Sequence, residues 1–157
     1  MSPDIRLVHP THREAQHLHE LLQAEYVGMY GETDPNPDGG FEGCVHPDGG
    51  VLLGFTPSEL MGNAVALGAW CRWDDETAVL KRVYTHFDHR RRGWSRALMQ
   101  EIERRAHDQG YHRMILETGT AQTHAITMYV HLGYTAVDPF GFYAGQSTSV
   151  FLGKELH

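Results

Sequence analysis

Cysteine is scarce in this chain, with Cys44 and Cys71 the only two among 157 residues. Two thiols so far apart form neither a disulfide framework nor a C-x-x-C zinc or redox motif. The sequence therefore predicts free thiols and a cytoplasmic setting. Long apolar runs are also missing: no stretch approaches the ~18–20 apolar residues of a membrane span, and residues 1–10 lack the apolar segment of a secretory signal. A soluble chain with no membrane partner is expected. Basic charge is in deficit, at 13 Lys and Arg against 20 Asp and Glu, for −7 with neutral histidine. That balance excludes a general nucleic-acid binder. Internal repeats and low-complexity tracts are absent, so the length indicates one domain over residues 1–157.

What is present begins with an uneven charge distribution. Residues 81–96 carry +5 and the remainder −12, a short basic patch on an acidic chain that suggests one anionic ligand at one place. Hydrophobic period and punctuation predict a strand over 5–9 and a helix over 11–30, the latter from Ala15, Leu18, Leu22, Tyr26 and Met29 on one face. Residues 31–49 hold three prolines and several glycines, which predicts a long functional or mobile loop. Strands over 51–55, 64–72 and 77–85, with breaks at 57–62 and at Asp74 and Asp75, read as an antiparallel meander. Trp94, Leu98, Ile102 and Ala106 mark a helix over 94–109, stopped by Gly110. A strand over 114–117, a helix over 122–132 ended by Gly133, and strands over 135–137 and 149–152 complete the chain. The order β-α-βββ-α-β-α-ββ predicts an α/β or α+β sheet domain, with parallel pairing where helices intervene.

The sharpest local signal is Arg90-Arg91-Arg92-Gly93-Trp94-Ser95, between the 77–85 strand and the helix at Trp94. A glycine turn at a helix N-terminus presents unpaired N–H groups and a partial positive charge, which suits a phosphate, and arginines add charge-assisted bonds. A solvated basic loop is the plainer alternative. The turn is neither G-x-G-x-x-G nor G-x-x-x-x-G-K-[ST], so dinucleotide and P-loop readings lose support.

Residues 81–110 resemble motif A of the GNAT superfamily of acyl-CoA-dependent N-acetyltransferases, written [QR]-x-x-G-x-[GA], with Arg90, Gly93 and Ser95 at its marked positions. The run Ala125-Ile126-Thr127-Met128-Tyr129-Val130-His131-Leu132-Gly133-Tyr134 is similar to the family's A-I-x-L-Y-x-x-x-G-[FY] helix and turn. Pro139-Phe140-Gly141-Phe142-Tyr143 and Ser149-Val150-Phe151 resemble the ending of small bacterial members. The likeness is close over residues 77–154 and rests on element order alone before that. It implies a mixed sheet of six to seven strands, splayed between strand 77–85 and strand 114–117, with the pantetheine arm of acetyl-CoA in the gap. Val83 and Thr85 would face the cofactor amides, and an N–H near Val83 or Tyr84 would polarise the thioester carbonyl. N–H groups from Arg91, Arg92, Gly93, Trp94, Ser95 and Arg96 would cradle the pyrophosphate, with Arg90 and Arg96 candidates for side-chain contacts. Gln122 stands where many members have Asn and becomes a candidate cofactor contact.

Tyr129 aligns with the tyrosine that protonates the departing thiolate in many members, a role a phenol can fill because it keeps its proton at neutral pH. Read alone, its spacing also fits a core aromatic. Val79 occupies the position of a carboxylate that could serve as general base, and Glu117 is the preferred substitute, acting through water. The histidines, 12 in all, match no metal-site spacing, so no metal is expected. The acceptor pocket is expected from the 11–30 helix, the 31–49 loop and residues 139–146. Tyr26, Tyr30, Phe41, Phe140 and Tyr143 would supply aromatic surface, and Glu32, Asp34, Asp38, Glu42 and Asp138 negative charge. The resulting expectation is an N-acetyltransferase using acetyl-CoA on a small-molecule or peptide amine, as a monomer or homodimer. A non-catalytic acyl-CoA-binding module of the same fold is the alternative.

Overall fold

A computed structural model describes residues 4–36, 40–57 and 63–157. Asp38 and most of the break expected over 57–62 lie outside these residues. Three helices and seven strands follow the expected order: β1 (Asp4–Val8), α1 (Arg13–Tyr30), β2 (Gly50–Phe55), β3 (Ala66–Arg72), β4 (Thr77–Thr85), α2 (Trp94–Asp108), β5 (Arg113–Gly119), α3 (Thr123–His131), β6 (Thr135–Ala136) and β7 (Ser149–Glu155). In α2 the four predicted apolar positions are all buried, and Gly110 leaves the helix at φ +101°. In α1 the apolar stripe runs through buried Ala15, Leu18 and Leu22 to half-buried Tyr26, while Met29 is exposed.

The strands form one sheet in the order β1-β2-β3-β4-β5-β7-β6, in which only β4 and β5 run parallel. A crossover through α2 separates those two strands, as parallel pairing requires. Pairing between them covers only Thr77 to Val79 against Arg113 to Ile115. Beyond Val79 the two strands part, giving the splay that the motif resemblance implies.

A bulge sits where the strands part. Across the β3–β4 ladder Ala69 faces Arg82 but Trp70 faces Leu80, so Lys81 is the extra residue. An inserted residue bends its strand and reverses the facing of everything that follows. Val79 and Tyr84 consequently share one face of the sheet, and Leu80 and Val83 the other. Helices α2 and α3 cover the face of Leu52, Trp70 and Leu80, while α1 covers the face of Leu53, Leu67 and Tyr84. The result is three layers around a sheet buried on both sides.

The expectation for the cysteines is corrected here. Cys44 and Cys71 form a disulfide across 27 residues of sequence. Residues 44–49 lie along the end of β3, and a separation in sequence says nothing of separation in space. Both residues are buried beside Phe41 and Val79. Neither cysteine is a free thiol, so the pair does not point to a reducing compartment. No helix among the described residues is long and apolar enough to cross a membrane.

Candidate functional site

The parting of β4 and β5 opens a cavity of about 440 Å³, walled by β4 from Leu80 to Val83, by β5 from Glu117 to Gly119, by the end of α1, by residues 32–35 and by residues from the 142–149 segment. The bulged residue Lys81 and its neighbours Leu80 and Arg82 lie in the β4 wall. Tyr30 at the end of α1 reaches over β5: a Cβ on Gly119 would lie 2.5 Å from Tyr30 Oη, so a larger residue there would displace that side chain.

The loop before α2 follows the end of β4, and none of residues 84–96 lines the cavity. Arg91 (φ +63°) and Gly93 (φ +85°) are both left-handed, and Gly93 is the N-cap of α2. No side chain caps that helix start, and a Cβ on Gly93 would meet nothing within 4 Å. The loop thus leaves first-turn N–H groups open beside exposed Arg91, Arg92 and Arg96, a fitting cradle for a diphosphate. Ser95 Oγ lies 3.2 Å from Thr85 Oγ1, tying the turn to the end of β4. The Trp94 side chain is core, packed over Gly54. Arg90 is engaged within the protein: its Nε donates to Thr85 O at 3.0 Å and its Nη2 to both Glu25 oxygens at 2.8 and 2.7 Å. Tyr84 Oη also donates to Glu25, at 2.5 Å, and burial followed by that bond pushes the phenol pKa up. Glu25 was missed by the sequence reading, and nothing local in the sequence marks it.

Tyr129 and Glu117 come together on the cavity wall. Tyr129 is buried, its ring edge-on to Tyr134 at 5.7 Å, and burial raises its pKa so that the phenol keeps its proton at neutral pH. Glu117 lies inside β5 and not at the strand end, because β5 extends to Gly119. Burial raises the Glu117 carboxyl above its usual range, with a hydrogen bond from Ser149 opposing the shift. Val79 packs against Cys71 and Ile115 in the apolar layer under α1 and does not reach the cavity. A carboxylate there would be buried without a partner, which costs several kcal/mol. Of the remaining positions on β4, Val83 lines the cavity whereas Tyr84 and Thr85 are buried.

Of the residues from which an acceptor pocket is expected, Tyr26, Tyr30, Glu32, Asp34 and Tyr143 line the cavity. Phe140 instead packs edge-on against Trp73 and Phe151, and Phe142 stands in the wall. Phe41 is core beneath His19. Gln122 begins α3 and donates to Tyr30 Oη at 3.4 Å. Asp34 makes the densest set of contacts: Arg82 Nη2 donates to it at 2.7 Å, Asn36 N at 3.0 Å, and Tyr143 Oη donates as well. Burial pushes the Asp34 carboxyl up, but these bonds outweigh it and hold the group below its ordinary value. Among the described residues no group of three or more His, Cys, Asp or Glu could hold a metal ion.

The model of the acetyltransferase (GNAT) family matches residues 15–134. Among curated proteins, the chain is 32% identical over 91 residues to the uncharacterized N-acetyltransferase YsnE of Bacillus subtilis, and 38% identical over 66 residues to human N-acetyltransferase 8. Those matches cover 57% and 39% of this chain, and the chain spans 60% and 29% of the two relatives' lengths. Among solved structures, one named as an acyl-CoA N-acyltransferase from Klebsiella pneumoniae superposes with a TM-score of 0.83 at 26% identity, over 99% of this chain and 98% of the other. A GNAT family acetyltransferase from Elizabethkingia anophelis, solved with acetyl-CoA bound, superposes with a TM-score of 0.69 at 16% identity over 98% of both chains. At that identity the second likeness speaks for the fold alone.

Proposed function

Because the chain belongs to the GNAT acetyltransferase family, we propose that it moves an acetyl group from acetyl-CoA to a primary amine by direct attack in a ternary complex. One observation carries this reading: Tyr129 and Glu117 line one cavity, opened where β4 leaves β5. The α2 loop would hold the diphosphate of acetyl-CoA, and the splayed edge of β4 would receive the pantetheine arm as an added strand does. Glu117, raised by burial, takes a proton from the substrate ammonium, directly or through water. The freed nitrogen lone pair forms the C–N bond at the thioester carbonyl as the C–S bond breaks. The Tyr129 hydroxyl supplies a proton to the departing sulfur, the second proton of the acylated nitrogen returns to the tyrosinate through solvent, and Glu117 releases the proton it took to solvent. Gln122 and Arg96 are further proposed contacts to acetyl-CoA.

The second reading, a module that binds acetyl-CoA without turnover, draws on Val79, whose apolar setting removes the base position found in similar strands. Thiol release from acetyl-CoA across a panel of primary amines separates the two. Amine-dependent release with an acetylated product in the mass spectrum supports the transferase. Calorimetric binding of acetyl-CoA without release for any amine supports the module.

A further inference from the structure

Arg82 stands on the cavity wall with its side chain only 10% exposed. The guanidinium has five N–H donors. One goes from Nη2 to Asp34 and one from Nη1 to Lys81 O at 3.1 Å, while the buried Nε has no hydrogen-bond partner among the described residues. Asp34 is more fully engaged than the guanidinium, through Arg82, Tyr143 and Asn36. Of the acidic groups expected to attract an ammonium, Asp34 is thus already neutralised by the protein. Its arginine partner, whose charge Asp34 offsets in turn, lines the cavity and keeps one N–H on each of Nη1 and Nη2 for an anion, Nε being buried out of reach.

Glu117 shares the cavity and has a different need. Its hydrogen bond comes from Ser149, and it lies near enough to Asp34 and Arg82 to feel both charges. A simple amine would pair with Glu117 while shutting water away from Arg82 and replacing it with nothing. Closing a ligand over an unsatisfied charged donor is penalised, and a site built to bond a polar group discriminates strongly against analogues lacking it. A ligand with an ammonium and a carboxylate on one carbon answers Glu117 and Arg82 together. Aromatic rings complete the wall: Tyr26 lies with its centroid 5.9 Å from the Arg82 guanidinium carbon, and Phe142 and Tyr143 stand nearby.

Resting on the transferase reading above, we propose that the acceptor is a free α-amino acid with an apolar side chain, its carboxylate held by Arg82 and its α-amine set beside Glu117. The bond changes are those already given: the α-nitrogen gains the acetyl carbon, the C–S bond breaks, Glu117 takes the ammonium proton and Tyr129 protonates the sulfur. The products are an N-acetyl amino acid and CoA thiol.

The test compares kcat/KM, at equal concentrations of unprotonated amine, for L-phenylalanine, L-phenylalaninamide and 2-phenylethylamine, and for L-leucine, L-leucinamide and 3-methylbutylamine. The amino acid should exceed its amide and its decarboxylated amine by at least tenfold in each set. In Arg82→Gln that ratio should fall to within threefold, with calorimetric acetyl-CoA binding as the check on folding, and Arg82→Lys should keep part of the preference, since a charge remains without the planar fork. Amides or plain amines used as well as the amino acids overturn the proposal, as does a preference that survives Arg82→Gln in a folded protein. The wild-type comparison decides even if both variants fail to fold. Turnover of none of the six also overturns it. In that case thiol release with other primary amines would leave the transferase reading standing, and its absence across the whole panel would remove that reading too.

Discussion

Replacing Gly93 by Asp tests the assignment of the α2 loop to the diphosphate with a charge and almost no change in packing. The position is left-handed and exposed, with open space around a built Cβ. Strain is therefore the only local cost, about 1–2 kcal/mol for a residue with a Cβ. Asn adopts this backbone region about as readily as Asp, so Gly93→Asn bears the same strain without the charge. A carboxylate ~5 Å from a phosphate charge costs about 0.8 kcal/mol at the dielectric of water and about 3 kcal/mol at an effective value of ~20. The middle of that range is a loss of tenfold or more in acetyl-CoA affinity, since tenfold is about 1.4 kcal/mol. Isothermal titration calorimetry on wild type, Asn and Asp variants at low salt should place the Asp variant at least tenfold weaker than the Asn variant. Raising the salt toward 1 M should narrow that gap, because the screening length falls to ~3 Å. Equal affinities for folded Asp and Asn variants would place the diphosphate elsewhere.

Tyr129→Phe keeps the ring against Tyr134 and removes the proton, so kcat should fall by ~10²-fold or more while acetyl-CoA affinity barely moves. A variant at full speed would make Tyr129 a packing residue only. For Glu117, a carboxyl raised by burial means that kcat/KM should fall as pH drops through a value above the ordinary carboxylate range, and Glu117→Gln should lose that limb while recovering rate at alkaline pH. The same shift has a stability sign: a raised native pKa favours the protonated form, so ionised Glu117 burdens the fold at neutral pH. Gln at that position should melt higher than wild type at pH 7, with the gap closing in acid, and a lower melt at pH 7 would contradict the burial argument. Removing the disulfide with Cys44→Ala and Cys71→Ala opens a loop of 27 residues, worth about 3.5 kcal/mol by chain entropy, so thermal unfolding should fall by roughly 7–14 °C, and an unchanged Tm would mean that the bridge constrains nothing.

The amino-acid sequence by itself determined the order of elements, because each long helix or strand advertises its period locally. Trp94, Leu98, Ile102 and Ala106 are one stripe whatever they pack against, and the helix start at Gly93 was readable from its neighbours alone. The Tyr129 run was equally legible, since its meaning lies in contiguous residues. Tertiary structure decided what depended on residues far apart in sequence. The bulge at Lys81 arises from how β3 and β4 register, and no pattern within β4 announces it; yet it turns Arg82 and Tyr84 toward α1, where alternation from Val79 would have placed Lys81 and Val83. Asp34 meets Arg82 across 48 residues and Tyr143 across 109, Glu25 meets Arg90 across 65, and Cys44 meets Cys71 because a loop closes on a strand. Each of these contacts changes the charge or freedom of a site residue. Pairing of this kind is set by the geometry of the closed chain, where a partner's position depends on every element packed between the two.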